Sequence, residues 1–284
     1  MNAVQIKIRS FVELFLNMAC FGLCLKAFLP YVQQRKQSGF VGSILFYIFT
    51  LTLYSILYFT DSLMFLLQIT NLVPQDTQNN QWFFVFKSSS MNFIYLSGAE
   101  LALDRFLLMC FSLQYTRWAI SKRLCVIALL LCVMSIAFLL ISKAFFPLYN
   151  AFYILGIMFD ILVCVELFLH LLFCIKYHQF SRKQQQIQGS SSNQLKANQV
   201  ALVQSISTVI LCLIPKLLHR ANMIFFGGKV FWIFMIAIYY QLFFSVNVLI
   251  ISSFIVFRHS QREKMLIIPV TPSTSVPRSF AAKT

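Results

Sequence analysis

The sequence predicts an all-α membrane protein: a seven-transmembrane-helix bundle with its N-terminus outside and its C-terminus cytoplasmic. Three observations carry this. Hydrophobic residues fill 59% of the 284 positions and charged residues only 11%, where a soluble domain has about a quarter charged. The apolar residues gather in seven runs, each near the twenty or so residues that cross a hydrocarbon layer as a helix. Lysine and arginine concentrate in alternate connectors, and this asymmetry orients the bundle.

Helix 1 is expected over 10–31, with Pro30 near its end and a polar connector from Gln33 to Gly39. Helix 2 is expected over 40–69 and contains Asp61; the following segment, with Pro74, Asp76, Asn79 and Asn80, reads as a loop. Helix 3 is expected over 83–108 and helix 4 over 124–146, ending at Pro147. Helix 5 is expected over 150–175, and the Gln-, Ser- and Asn-rich stretch 176–199 is expected in water. Helix 6, over 200–221, contains Pro215, where a kink is expected. Gly227-Gly228-Lys229 marks a loop before helix 7, over 231–256. A short amphipathic segment then closes the bundle region, 1–264, and residues 265–284 read as a disordered cytoplasmic tail. Isolated alternating strands are missing, so backbone polar groups must be paired within helices rather than around a barrel.

The basic residues Arg35, Lys36, Arg117, Lys122, Arg123, Lys176, Arg182, Lys183, Lys196 and those after Phe257 all fall on one side. Fewer lie opposite: Lys7, Arg9, Lys143, Arg220 and Lys229. The net charge of +15 therefore faces anionic inner-leaflet lipid and cytosolic partners, and nucleic acid is not an expected partner. Lys7 and Arg9 before an apolar run also fit a signal peptide, but Glu13 and Asn17 within the run and Arg35-Lys36 after it argue for a retained span. The eight cysteines sit in or beside apolar spans. Cys20 and Cys24 share a helix face, yet no histidine or second pair completes a metal site, so packing is the expected role and neither metal nor cofactor is expected. No His-Glu-x-x-His or Gly-x-Ser-x-Gly occurs, so an enzyme is not expected.

Asp104-Arg105-Phe106 ends helix 3 on the basic side. Charged groups there are costly unless partnered or near the interface. One reading is a structural pair reaching for water; the other is a switch, with Arg105 held by Asp104 in one state and freed in another. Glu166 and His170, four residues apart, are expected to bond each other, whereas Asp61 and Asp160 have no partner assignable from sequence.

Ala102-Leu103-Asp104-Arg105-Phe106, with Tyr115 ten residues after the arginine, resembles the end of helix 3 in rhodopsin-like G-protein-coupled receptors. Cys212-Leu213-Ile214-Pro215 is similar to that family's Cys-x-x-Pro, and Asn247-Val248-Leu249-Ile250-Ile251 to its Asn-Pro-x-x-Tyr, with Val replacing Pro and Ile replacing Tyr. The resemblance covers about residues 10–264. The family's outer helix-3 cysteine and helix-4 tryptophan are missing, and such eroded motifs in a Phe-rich chain look like the nematode serpentine chemoreceptors, the bc-type serpentine receptors above all.

That resemblance implies a chemosensory receptor in the cell membrane, on a sensory cilium in that family, which couples a small-molecule ligand to a heterotrimeric G protein by an outward swing of helix 6. Asp104, Arg105, Tyr115, Pro215 and Asn247 would belong to the coupling switch. Lys87 precedes Arg105 by eighteen positions, about 27 Å of helix, so it would lie near the outer mouth, where this family binds small ligands. Lys216 and Arg220 share a face of helix 6 and with Lys87 would suit an anionic ligand, while Tyr239 and Gln241 would line the same cavity. The competing reading is that the cations reach for outer headgroups and the tyrosine anchors at the interface. A small-solute transporter or channel is the alternative function, since chains of intramembrane acids serve proton coupling too.

Overall fold

A computed structural model of the chain describes residues 3–34, 42–72, 81–111, 115, 118–145, 148–186, 192–227, 230 and 239–267. These form helices α1 (Ala3–Gln34), α2 (Gly42–Ile69), α3 (Gln81–Cys110), α4 (Ile120–Phe145) and α5 (Leu148–Gln186). Helix α6 has three contiguous parts, Ser192–Thr208, a π turn Val209–Leu213 and Ile214–Phe226, and α7 is Tyr240–Ile267. No strand occurs among the described residues.

Among the described residues, six stretches are long and apolar enough to cross a membrane: Ile8–Leu29, Gly42–Ile69, Ile120–Ile141, Gly156–Gln179, Gln199–Phe226 and Tyr240–Arg258. Helix α3 is not one of them. It carries Lys87, three serines at 88–90, Glu100, Asp104 and Arg105, and it packs against α2, α4, α5 and α6. A helix surrounded by others meets protein rather than solvent, so its polar groups find partners where lipid would offer none.

The exterior is apolar and the interior carries the polar groups. Val126, Ile127, Leu130, Val133 and Met134 of α4 are exposed, as are Met158, Ile161 and Phe168 of α5. Meanwhile Asn17, Ser55, Ser97, Asp104, Glu166, Gln204 and Asn247 are buried. Water would not tolerate so large an apolar outer face, whereas lipid requires one. On α1 the spacing of Asn17, Cys20, Cys24 and Ala27 places all four on one face, and all four are buried. Phe11, Phe15, Met18 and Leu25 remain outside.

Helix α1 packs between α2 and α7, and α6 packs against α3, α5 and α7. The main core joins Tyr47, Leu51 and Tyr54 with Ile94, Tyr95, Leu101, Leu213, Phe244 and Val248. A second cluster, Phe46, Phe93, Ala128 and Cys132, seats α4 on α2 and α3.

Several boundaries move relative to expectation. Helix α5 continues to Gln186 and α6 begins at Ser192, so most of 176–199, expected as an aqueous connector, is helical. Gln, Lys and Arg are good helix formers, and helices extend past the lipid without needing apolar residues. Helix α7 runs without a break to Ile267, in place of a separate amphipathic segment ending at 264. Residues 231–238, assigned to helix 7, Pro147 and the tail from 268 lie outside the described residues.

The expected disturbance at Pro215 takes the form of a π turn. Ile214 N–H bonds the carbonyl of Val209, five residues back. Proline has no N–H to offer the carbonyl four residues earlier and its ring crowds that carbonyl, and a widened turn is one way a helix absorbs this. Helix α6 ends at Gly227, whose φ of 56° is left-handed, a conformation that glycine adopts without steric cost. Asn222 then brackets Val230, donating to its carbonyl and accepting from its N–H at 3.2 Å each.

Candidate functional site

Among the described residues, polar side chains inside the bundle gather in three groups along its length. Near the C-terminal end of α3, Asp104 and Arg105 are both buried. The Arg105 Nη2 atom lies 3.6 Å from Asp104 Oδ2 and 3.4 Å from Ser43 Oγ of α2. Ser43 donates to Asp104 Oδ2 at 2.6 Å, and the Tyr115 hydroxyl donates to Asp104 Oδ1. Burial, and then the Asp104 charge, push the Tyr115 phenol well above its usual range, so it remains a donor. One carboxylate thus collects a hydroxyl from α2, a phenol from beyond α3 and the neighbouring guanidinium. Charge-assisted bonds of this kind are the strong ones, and they offset the cost of burying the pair. Of the predicted switch residues, the structure brings Asp104, Arg105 and Tyr115 together. Ser43 completes the group and has no sequence signal of its own.

In the middle, Asn247 of α7 accepts from Ser207 Oγ and donates to Thr208 Oγ1 at 3.3 Å, which ties α7 to the turn before the π bulge. Asn17 of α1 donates to Ser62 at 3.2 Å and accepts from Ser245 at 2.9 Å. Glu166 and His170 do bond each other, at 3.2 Å, and His170 Nδ1 lies 2.8 Å from Ser205 Oγ of α6. Gly98 on α3 sits against Glu166. Asn247 is therefore bonded to α6 at Ser207 and Thr208, immediately before the π turn Val209–Leu213 that leads to Pro215.

At the other end, Lys87 of α3 pairs with Asp61 of α2 and lies 5.0 Å over the Tyr58 ring. Lys216 and Arg220 of α6 share Asp160 of α5, at 3.7 and 2.8 Å, and Lys216 lies 4.7 Å over the Tyr95 ring. The partners that sequence could not assign to Asp61 and Asp160 are thus the three predicted ligand-binding cations. A row of rings joins the two lysine sites: Tyr58 stacks on Tyr54 at 4.2 Å, Tyr54 meets Phe244 at 5.0 Å, and Phe244 meets Tyr95 edge-on at 5.6 Å.

Beside Asp61 a cavity of about 310 Å³ opens between α1, α2 and α7, lined by Arg9, Ser10, Glu13, Asp61, Ser62, Phe65 and Gln241. Arg9 donates to Glu13 at 2.7 Å and lies 5.9 Å over the Tyr239 ring. Gln241 therefore lines a cavity, Tyr239 backs one of its walls and Lys87 holds one of its acids. Lys216 and Arg220 line a different place. Arg9 and Glu13, which enter the sequence reading only through charge asymmetry and the question of a signal peptide, belong to the cavity; their i,i+4 spacing is the available signal. Among the described residues no group of three or more His, Cys, Asp or Glu side chains is placed to hold a metal ion.

No protein-family model and no curated protein matches this sequence.

Proposed function

We propose that the chain is a seven-span chemosensory receptor of the cell membrane, with its N-terminus outside, which couples a small-molecule ligand to a heterotrimeric G protein. Helix α3 is the seventh span: its 30 residues make about 45 Å of helix, longer than the hydrocarbon core. The excess of Lys and Arg in alternate connectors puts the Arg105 end in the cytosol.

The observation that carries the reading is the buried Asp104–Arg105 pair, restrained by Ser43 and Tyr115. The far end of the same helix holds Lys87 against an acid that lines an open cavity. A charge held in a breakable network at one end, with a ligand-sized opening at the other, suits a two-state element that a ligand biases. The π turn before Pro215 gives α6 a place to bend, and Asn247 ties α7 to that place.

A proton-coupled transporter is the second reading, favoured by the buried Glu166–His170 pair. Cells expressing the chain, exposed to a panel of small organic compounds, separate the two. A second-messenger response that Arg105→Ala abolishes at unchanged surface level supports the receptor. Ligand-driven solute flux that persists in Arg105→Ala supports the transporter.

A further inference from the structure

We propose that the cavity between α1, α2 and α7 binds a small molecule that carries a protonated amine. The proposal rests on the receptor reading only for which side of the membrane supplies the ligand.

The sequence alone suggests an anion, through Lys87, Lys216 and Arg220. The structure gives each of those cations a carboxylate partner, and Lys216 and Arg220 do not line the cavity. Its walls instead carry two acids, Glu13 and Asp61, and one cation, Arg9. Arg9 donates to Glu13 through Nε and lies over the Tyr239 ring, so the lining carries one more acid than base.

Each acid is used on one side only. Glu13 receives Arg9 at Oε1 and Asp61 receives Lys87 at Oδ2; no bond to Glu13 Oε2 or Asp61 Oδ1 occurs among the described residues. An ionised carboxylate accepts on both oxygens. Two acceptor oxygens of negative groups therefore remain for a donor inside the cavity. A protonated amine supplies a positive charge and two or three N–H donors in a compact head. Phe65, on the same wall, offers an apolar face to the rest of the molecule. The volume, about 310 Å³, lies at the small end of small-molecule sites, which favours a ligand the size of an arylalkylamine.

An amine of this kind comes either from a free small molecule or from an ethanolamine lipid headgroup, and the test separates them. The full chain is placed in phosphatidylcholine nanodiscs and binding of radiolabelled 2-phenylethylamine is measured. Phenylacetate and N-acetyl-2-phenylethylamine serve as the anionic and neutral competitors. Saturable binding is expected that neither competitor displaces. Glu13→Gln is expected to weaken it about tenfold, the effect of losing one charge-assisted contact, and Asp61→Asn at least as much. Glu13→Gln keeps the fold testable if Asp61→Asn, which also unpairs Lys87, unfolds the protein. Repeating the measurement with phosphatidylethanolamine in the disc assigns the same amine site to a headgroup if the lipid competes in the wild type and loses that competition in Glu13→Gln. The proposal is overturned if the folded protein shows no saturable amine binding, if the neutral amide competes as well as the amine, or if neither substitution weakens binding. Amine binding without a G-protein response would leave this site standing and remove the receptor reading; a G-protein response without amine binding would do the reverse.

Discussion

Gly98 of α3 and Glu166 of α5 meet so closely that a methyl group on the glycine would stand 2.5 Å from Glu166 Oε1. The same methyl would lie 3.2 Å from Gln204 Nε2 of α6. Glu166 is buried and bonded to His170, so its carboxyl would have to leave that bond to make room.

Gly98→Ala is therefore expected to destabilise the bundle. Alanine gains up to about 1 kcal/mol in helix propensity, but overpacking a tight contact costs about 1–3 kcal/mol, and here the second effect wins. Gly22 of α1 has open space around its Cβ position, so Gly22→Ala is expected to be neutral or stabilising. Thermal unfolding of both variants in the same detergent checks the contrast. Equal midpoints for the two would show that the α3–α5 contact is looser than described.

Lys87 and Asp61 are expected to depend on each other. Both are largely buried, with side-chain exposures of 18% and 23%. Breaking the pair should cost about 1–3 kcal/mol, between an exposed and a fully buried ion pair. Lys87→Met and Asp61→Asn should each lower the unfolding midpoint, and Lys87→Asp combined with Asp61→Lys should recover part of the loss. No recovery in the swapped variant would indicate that the Tyr58 ring, rather than the acid, holds the lysine.

Pro215→Ala restores an N–H to α6 next to the π turn Val209–Leu213. Proline inside a helix costs about 3 kcal/mol, and the π turn absorbs part of it, so a gain of about 1–2 kcal/mol in stability is expected. If α6 bends there in signalling, the same variant should respond less to ligand at equal surface level. A stabilised variant with an undiminished response would place the moving hinge elsewhere.

Helix existence was legible in the sequence far better than helix ends or partners. The apolar runs over Gly42–Ile69 and Ile120–Ile141 are unmistakable because lipid demands them. Hydropathy says nothing about where a helix stops after leaving the lipid, which is why the extension of α5 to Gln186 and the start of α6 at Ser192 escaped it. Local pairs were also readable: Glu166 and His170 lie one turn apart, and one helix geometry decides their contact. The Asp61–Lys87 and Asp160–Arg220 pairs join different helices, and a single sequence holds no information on which faces of two helices meet. Ser43 went unnoticed for the same reason. Its part in the Asp104 group depends on α2 packing against α3 at one rotation.

If the Asp104–Arg105 group restrains a coupling face, loosening it at Tyr115 should release that face. Tyr115→Phe removes one donor from Asp104 while keeping the ring, and leaving that buried acceptor unpaired costs about 1–3 kcal/mol. The measurement is ligand-free nucleotide exchange on heterotrimeric G proteins by the chain in nanodiscs, for the wild type, Tyr115→Phe and Arg105→Ala. Tyr115→Phe is expected to raise basal exchange severalfold and Arg105→Ala to abolish it. Exchange indistinguishable among all three, in protein shown to be folded, would mean that the Asp104–Arg105 group restrains no coupling face.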